Sequence, residues 1–258
     1  MQPGELVLEV GPGTGTLTEA LLDAGARVVA CEIDPEMAAI VEGRLASEGA
    51  VSRFRLVRGD CLDGKRALHP ELRALLADQP FVLVANLPYG AATPLMATLL
   101  VEHEACRGLF VTVQREVADR LLAEAGTKEY GPISVLARTL ATVELISILP
   151  GSCFWPAPEV TSAMVAIRRR PPQEIAAAGG PTSRDERESL ASFAARLFTT
   201  RRKQLGNVLE GIAVVGGAMP AGLDLRRRAE TLTPEEVVDL WIRATCRRAT
   251  DTPGDPRP

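Results

Sequence analysis

Seven short β-rich runs recur along the first two thirds of the chain, separated by stretches of helical character, and this alternation constrains the fold more than any other feature. The runs are LVLEV (6–10), RVVACEI (27–33), RFRLV (53–57), FVLVA (81–85), GLFVTV (108–113), VELISIL (143–149) and TSAMVAI (161–167). Strand–helix alternation of this kind predicts a doubly wound α/β domain, a parallel sheet covered on both faces. Between the runs, TLTEALLDA and PEMAAIVEGRLA carry helical spacing, the second opened by Asp34 as N-cap and Pro35 at the first helical position.

After Ile167 the pattern changes. RRRPPQEIAAAGGPTS is rich in Pro, Gly and Ala and reads as a linker, placed at 171–185. RESLASFAARLF, RKQLGNVLEGI and TPEEVVDLWIRAT are helical by apolar spacing and predict a small all-helical domain over 186–249. The ending TDTPGDPRP (250–258) has too few apolar residues to pack and is expected to be disordered. There is no internal repeat, so the expectation is a large domain over 1–170 and a small one after the linker.

With 46% apolar residues in 258, the chain can bury a sizeable core. It contains no apolar run of about 18 residues or more and no signal-peptide pattern at Met1, so no membrane association and a cytoplasmic location are expected. Its five cysteines (Cys31, Cys61, Cys106, Cys153, Cys246) form no CxxC pair, and neither His69 nor His103 stands at a zinc-ligand spacing. Reduced thiols and no metal are expected.

The net charge of -4 is unevenly spread: residues 168–248 hold 15 basic and 10 acidic side chains, against 14 and 23 elsewhere. The clusters RRR (168–170), RRK (201–203), RRR (226–228) and RR (247–248) suit either a solvated surface or contacts to a phosphate backbone.

VLEVGPGTGTLTEAL is a strand, a glycine-rich turn and a helix; glycines at 11, 13 and 15 let the backbone turn tightly and approach a ligand. Glu32 ends the second run, where a carboxylate can accept both hydroxyls of a ribose. Asp60 follows the third run and can accept from an adenine amino group. A dinucleotide fingerprint would need glycine at 16, where this chain has Thr16. Two acids and no phosphate cradle suit S-adenosyl-L-methionine, while a plain βα turn remains the simpler alternative.

The fourth run ends in Asn86, Leu87, Pro88 and Tyr89 at the sheet's carboxyl edge, where open α/β sheets bind ligands. An exocyclic aromatic amine is a poor nucleophile because its lone pair is delocalised. Two carbonyl oxygens, from the Asn86 side chain and the Leu87 backbone, would accept its hydrogens and favour a tetrahedral nitrogen. Pro88 biases Leu87 towards an extended conformation, and Tyr89 offers a ring for stacking on an unstacked base. Alternatively, Asn and Pro simply end the strand in a turn. Phe154 and Trp155, before two prolines, could supply the other side of a base sandwich or belong to the core.

Taken in order, EVGPGTG, CEID, GDCL, NLPYG and FWPAPEVTSAMV resemble the ribosomal RNA adenine N6-dimethyltransferase family. LFTTRRKQLGNVL and RAETLTPEEVVDLW resemble its small-subunit (RsmA/KsgA type) branch, whose members dimethylate two adjacent adenosines near the 3′ end of 16S rRNA. The large-subunit branch shares the first five segments and would not be expected to carry the RRK helix.

The resemblance implies a Rossmann-like methyltransferase domain, a C-terminal rRNA-binding domain, and a monomer acting on small-subunit rRNA within the pre-30S particle. It implies cofactor contacts from Gly11, Glu32, Asp60 and Asn86, with Gly13, Gly15, Ile33 and Cys61 lining the pocket. It also implies Asn86, Leu87, Pro88 and Tyr89 at the target amine, Phe154 on the base, and Arg201, Arg202 and Lys203 on RNA.

Family members usually begin with a Gln-Asn-Phe-Leu segment that closes over the cofactor. Met1 stands only a few residues before the first run, so either the start is placed too late or the enzyme lacks that cover, and in the second case lower cofactor affinity is expected. Gly90 stands where Asn is common, and Cys61 where Ala is common. A non-catalytic ribosome-assembly factor on the same fold, a large-subunit rRNA adenine methyltransferase, and a methyltransferase of DNA adenine or a protein amide are the alternatives.

Overall fold

The computed structural model describes residues 2–46, 52–64, 67–77, 79–88, 90–154, 157–201, 203–211 and 223–246. Tyr89, Trp155, Arg202 and the tail 250–258 lie outside the described residues. The chain divides into two units, one of residues 1–122 with 141–169, the other of 123–140 with 170–258.

The first unit is built on a seven-stranded sheet. Its strands are β1 (Leu6–Val10), β2 (Arg27–Glu32), β3 (Phe54–Arg58), β4 (Phe81–Asn86), β5 (Cys106–Gln114), β6 (Ala141–Leu149) and β7 (Ser162–Arg169), in the order β3-β2-β1-β4-β5-β7-β6. The helices are α1 (Thr16–Asp23), α2 (Pro35–Arg44), α3 (Pro70–Leu76), α4 (Ala92–Glu102) and α5 (Arg115–Leu122). All seven expected strands form, each within two residues of its expected ends at most.

The sheet is not wholly parallel. β1 to β5 run parallel, whereas β7 is antiparallel to both β5 and β6. The reason is the connection: parallel neighbours need a crossover of a dozen or more residues, usually helical. Among its described residues the segment from Leu149 to Ser162 holds one short 3-10 turn (Gly151–Cys153), and the chain returns so that Ser162 pairs with Leu149.

Alternation along the buried strands fills both faces of the sheet. Val7, Val28 and Ala30 pack with Leu21 and Leu22 of α1 and Val41 of α2. Leu8, Val29 and Leu83, one residue out of phase, are also buried. Asp34 caps α2 as expected, its Oδ1 accepting from the N–H of Glu36 at 2.8 Å and Met37 at 3.2 Å. Arg169, from the first basic cluster, is structural: its guanidinium donates to the carbonyls of Leu99, Leu100, His103 and Cys106, meeting the orphan acceptors at the end of α4.

The second unit contains α6 (Pro132–Leu140), α7 (Pro172–Ala177), α8 (Arg184–Thr199), α9 (Leu205–Gly211) and α10 (Pro234–Cys246). α7 falls inside the stretch read as linker. Pro172 sits at the first helical position, where its missing N–H costs nothing, and Ile175 anchors the turn in the core. Ser183 and Glu186 form a capping box on α8, and Thr233 and Glu236 exchange the same pair of bonds at the start of α10. Residues 123–140 pack with these helices, although the sequence places them in the large domain.

Candidate active site

β1 and β4 are neighbours at the point where the strand order reverses, and their shared register places the two candidate motifs together. Leu6, Val7 and Leu8 pair with Phe81, Val82 and Leu83, so continuing the pairing brings Gly11 beside Asn86. A Cβ on Gly11 (φ 72°) would stand 3.6 Å from Pro88 Cδ and 4.0 Å from the Asn86 carbonyl oxygen. The glycine turn therefore lies against the Asn-Leu-Pro turn.

A cavity of about 650 Å³ opens there. Among its walls are Gly11, Glu32, Ile33, Asp60, Cys61, Asn86, Leu87, Pro88 and Phe154, so four strand ends and the segment after β6 bring most of the expected residues to one space. Gly13 and Gly15 do not line it. Gly15 (φ 86°) instead lets α1 approach α2, since a Cβ there would meet Val41 Cγ2 at 2.8 Å. Val10, Cys31, Gly59, Gly90, Pro158 and Ser162 also line the cavity, none of them assigned a role from sequence. Their contribution is backbone or small-side-chain surface, which residue type alone does not flag.

Glu32 is buried, and its carboxylate spans two backbone donors: Gly13 N–H to Oε2 at 3.2 Å and Asp34 N–H to Oε1 at 3.0 Å. It holds the glycine loop while facing the cavity. Arg44 of α2 steadies the loop from outside, bonding the Thr14 carbonyl at 3.1 Å and pairing with Glu19 through two 2.5 Å contacts.

Asp60 is exposed in the wall; its Oδ1 accepts from Leu62 N–H at 2.9 Å. Burial and the negative charges nearby, Asp60 foremost for Cys61, push the thiols of Cys31 and Cys61 up to about 12, so both are neutral at physiological pH.

At the other end of the cavity, Asn86 is the exposed last residue of β4, and no described residue engages its side-chain amide. Leu87 is buried, its N–H donating to Thr112 of β5 at 3.0 Å. Pro88 follows, its carbonyl accepting from Ala91 and Ala92 where α4 begins. Leu87 is thus gripped on one side by β5 and on the other by the proline ring.

The sequence reading missed Glu9, which lies on the same sheet face as Glu32, paired with Ala30. An acid in the middle of LVLEV was the available signal, because Glu is almost never fully buried without a partner.

The donor set decides between candidate ligands. No Lys or Arg lines the cavity among the described residues, while two carboxylates do, beside the apolar surfaces of Ile33, Leu87 and Phe154. Such a lining fits a nucleoside with a cationic sulfonium better than a pyrophosphate. The fold and this site define an S-adenosyl-L-methionine-dependent methyltransferase.

Comparisons with known proteins give the particular family. The chain belongs to the ribosomal RNA adenine dimethylase family, whose model matches residues 1–245. It is 42% identical over 238 residues to Ribosomal RNA small subunit methyltransferase A of Bifidobacterium adolescentis, covering 91% of this chain and 77% of that one. With the protein of the same name from Mycolicibacterium paratuberculosis it shares 38% over 259 residues, covering 98% and 78%.

Among solved structures, a dimethyladenosine transferase from Plasmodium falciparum has the same fold, with a TM-score of 0.68 at 20% identity over 97% of this chain and 92% of that one. The 23S rRNA methyltransferase ErmE aligns with a TM-score of 0.57 at 25% identity over 95% and 92%.

The basic cluster RRK lies in the second unit. Arg201 pairs with Glu230 at 2.9 Å and donates to the Lys128 carbonyl at 2.9 Å, while Lys203 is exposed. Among the described residues no helix is long and apolar enough to cross a membrane.

Proposed function

We propose that this chain dimethylates the N6 amines of two adjacent adenosines near the 3′ end of small-subunit rRNA, as a cytoplasmic monomer acting on the pre-30S particle. The observation that carries the reading is the close approach of Gly11 to the Asn86–Pro88 turn, which puts the glycine loop and the Asn-Leu-Pro turn against one cavity. Bound there, S-adenosyl-L-methionine supplies an electrophilic methyl group on sulfur.

The protein's part is binding and orientation. Glu32 accepts the ribose hydroxyls and Asp60 the adenine amino group, with Gly11, Ile33 and Cys61 against the nucleoside. The Asn86 side-chain oxygen and the Leu87 carbonyl accept the two hydrogens of the target amine, drawing its lone pair out of conjugation and aiming it. Leu87 can do this because Thr112 and Pro88 fix its backbone. Phe154 and Tyr89 hold the flipped base by stacking. The nitrogen becomes strongly acidic as its new bond forms, so its proton passes to water without a dedicated base.

Arg201, Arg202 and Lys203 serve RNA binding in the second unit. Arg201 acts by fixing the turn through Glu230 and the Lys128 carbonyl, and Lys203 by meeting phosphate.

The test is methyl transfer from labelled cofactor to small ribosomal subunits lacking the modification. Labelled dimethyladenosine in the RNA is expected; no transfer, with calorimetry showing no cofactor binding, would instead favour a non-catalytic assembly factor.

A further inference from the structure

We propose that Glu9 is a positioning residue for the cofactor-binding loop and that it works in its neutral form, so that cofactor affinity is lost when Glu9 ionises. The proposal rests on the reading that the cavity holds S-adenosyl-L-methionine, and it concerns a residue outside the cavity wall.

Glu9 is 1% exposed at the next-to-last position of β1, two residues before the loop that Gly11 to Gly15 form. Its Oε2 accepts a hydrogen bond from the Thr18 hydroxyl of α1 at 2.7 Å. Its Oε1 is buried with no partner among the described residues. The carboxyl therefore ties the first turns of α1 to β1, under the loop whose upper side is tied to Glu32 through Gly13. Two acids hold one loop from adjacent strands, and only Glu32 faces the ligand space.

Two buried anions side by side would repel, and one of them would have an oxygen with no donor among the described residues. The charged groups near Glu9 offer no rescue. α1 carries Glu19, which is spent on Arg44, and Asp23 at its far, exposed end. β2 carries Arg27 at its opposite, exposed end and Glu32 at the near end, while β4 and the glycine loop carry no charge. Of these, the field of Glu32 reaches Glu9 and opposes its ionisation.

Burial, the larger cause, acts in the same direction, and the Thr18 bond only partly offsets it; together they hold the carboxyl at about 7. Once ionised, Glu9 can regain solvation only if the loop above it opens to water, and an open loop no longer presents Gly11 and Glu32 in register.

Calorimetric titration of S-adenosylhomocysteine into the full chain between pH 6 and 8.5 tests this. If only the neutral form holds the loop, the wild-type dissociation constant rises about tenfold or more across that range, in proportion to the vanishing neutral fraction. Glu9→Gln, the neutral isostere, should bind at pH 8.5 as the wild type does at pH 6. Thr18→Val removes the bond that favours the ion, so its loss of affinity should move to higher pH.

A wild type flat with pH, or a Glu9→Gln variant that keeps the wild-type slope, overturns the proposal while leaving the cofactor reading intact. Should Glu9→Gln not fold, an unshifted profile in Thr18→Val overturns it equally. Absence of binding at every pH removes the cofactor reading, and this proposal with it.

Discussion

The Glu32 carboxylate accepts the Gly13 N–H at 3.2 Å, so the acid that ends β2 shapes the loop that follows β1 as well as facing the ligand space. Glu32→Ala should therefore weaken S-adenosylhomocysteine binding by more than the loss of its ribose contacts alone. Hydrogen bonds to a charged group are worth about 1.5–3 kcal/mol each, so a loss on the order of 100-fold is expected by calorimetry. Affinity within about threefold of wild type, less than 1 kcal/mol, would remove Glu32 from the site.

Asn86 makes the complementary case, because its amide engages no described residue and its loss costs the fold little. Asn86→Ala should leave the unfolding midpoint close to wild type and much of the RNA binding intact. Removing one preorganised contact to the reacting group typically costs about 10²–10³ in kcat, and single-turnover methyl transfer to small subunits should fall by that much. Retained turnover would show that the amine is aimed by other groups.

How far the sequence reveals this site depends on how local each feature is. Gly11, Glu32, Asp60 and Asn86 all stand at strand ends, so strand periodicity and the crossover rule place them on one edge before any coordinates are known. The reversed strand β7 was less visible, because its direction depends on the short return from Leu149 to Ser162 rather than on any residue within TSAMVAI.

The basic clusters are hard to read from sequence for a similar reason. Arg169 and Arg201 look alike in sequence, yet one caps the end of α4 and the other brackets Lys128 and Glu230. Which carbonyl a guanidinium reaches is a tertiary fact. Residues 123–140 belong with the helical unit because α6 packs on α8 and α10, long-range contacts that no local pattern encodes.

The bracket around Arg201 separates stability from RNA affinity. Arg201→Ala removes a partly exposed ion pair and a bond to a carbonyl, so it should lower stability by about 1 kcal/mol at most. Lys203→Ala should leave the urea midpoint unchanged and, if Lys203 meets a phosphate, reduce the salt slope of RNA binding by about one. An unchanged slope in Lys203→Ala would place the phosphate contact elsewhere.

Tyr130 offers a test of packing free of the site. Its ring is fully buried, edge-on to Phe198 with centroids 5.6 Å apart, and its hydroxyl has no hydrogen-bond partner among the described residues. A buried hydroxyl without a partner is destabilising by roughly 1–3 kcal/mol, so Tyr130→Phe should be neutral or stabilising in urea unfolding. A clear loss of stability would mean that the hydroxyl is satisfied in solution.

Glu9 should leave a signature in the stability of the protein without any ligand. Its carboxyl is raised from an ordinary value of 4.5 to about 7 in the fold, chiefly by burial. Between those values the folded state holds a proton that the unfolded state has released, so stability falls as pH rises. The contribution is fully present below 4.5 and is lost as pH climbs through 7. At 1.36 kcal/mol for each pH unit of difference, the whole loss is about 3 kcal/mol. Glu9→Gln, which has no proton to lose, should raise the urea midpoint at pH 8 and raise it much less at pH 5. Equal effects at both values would mean that Glu9 titrates in the folded protein much as it does in the unfolded chain.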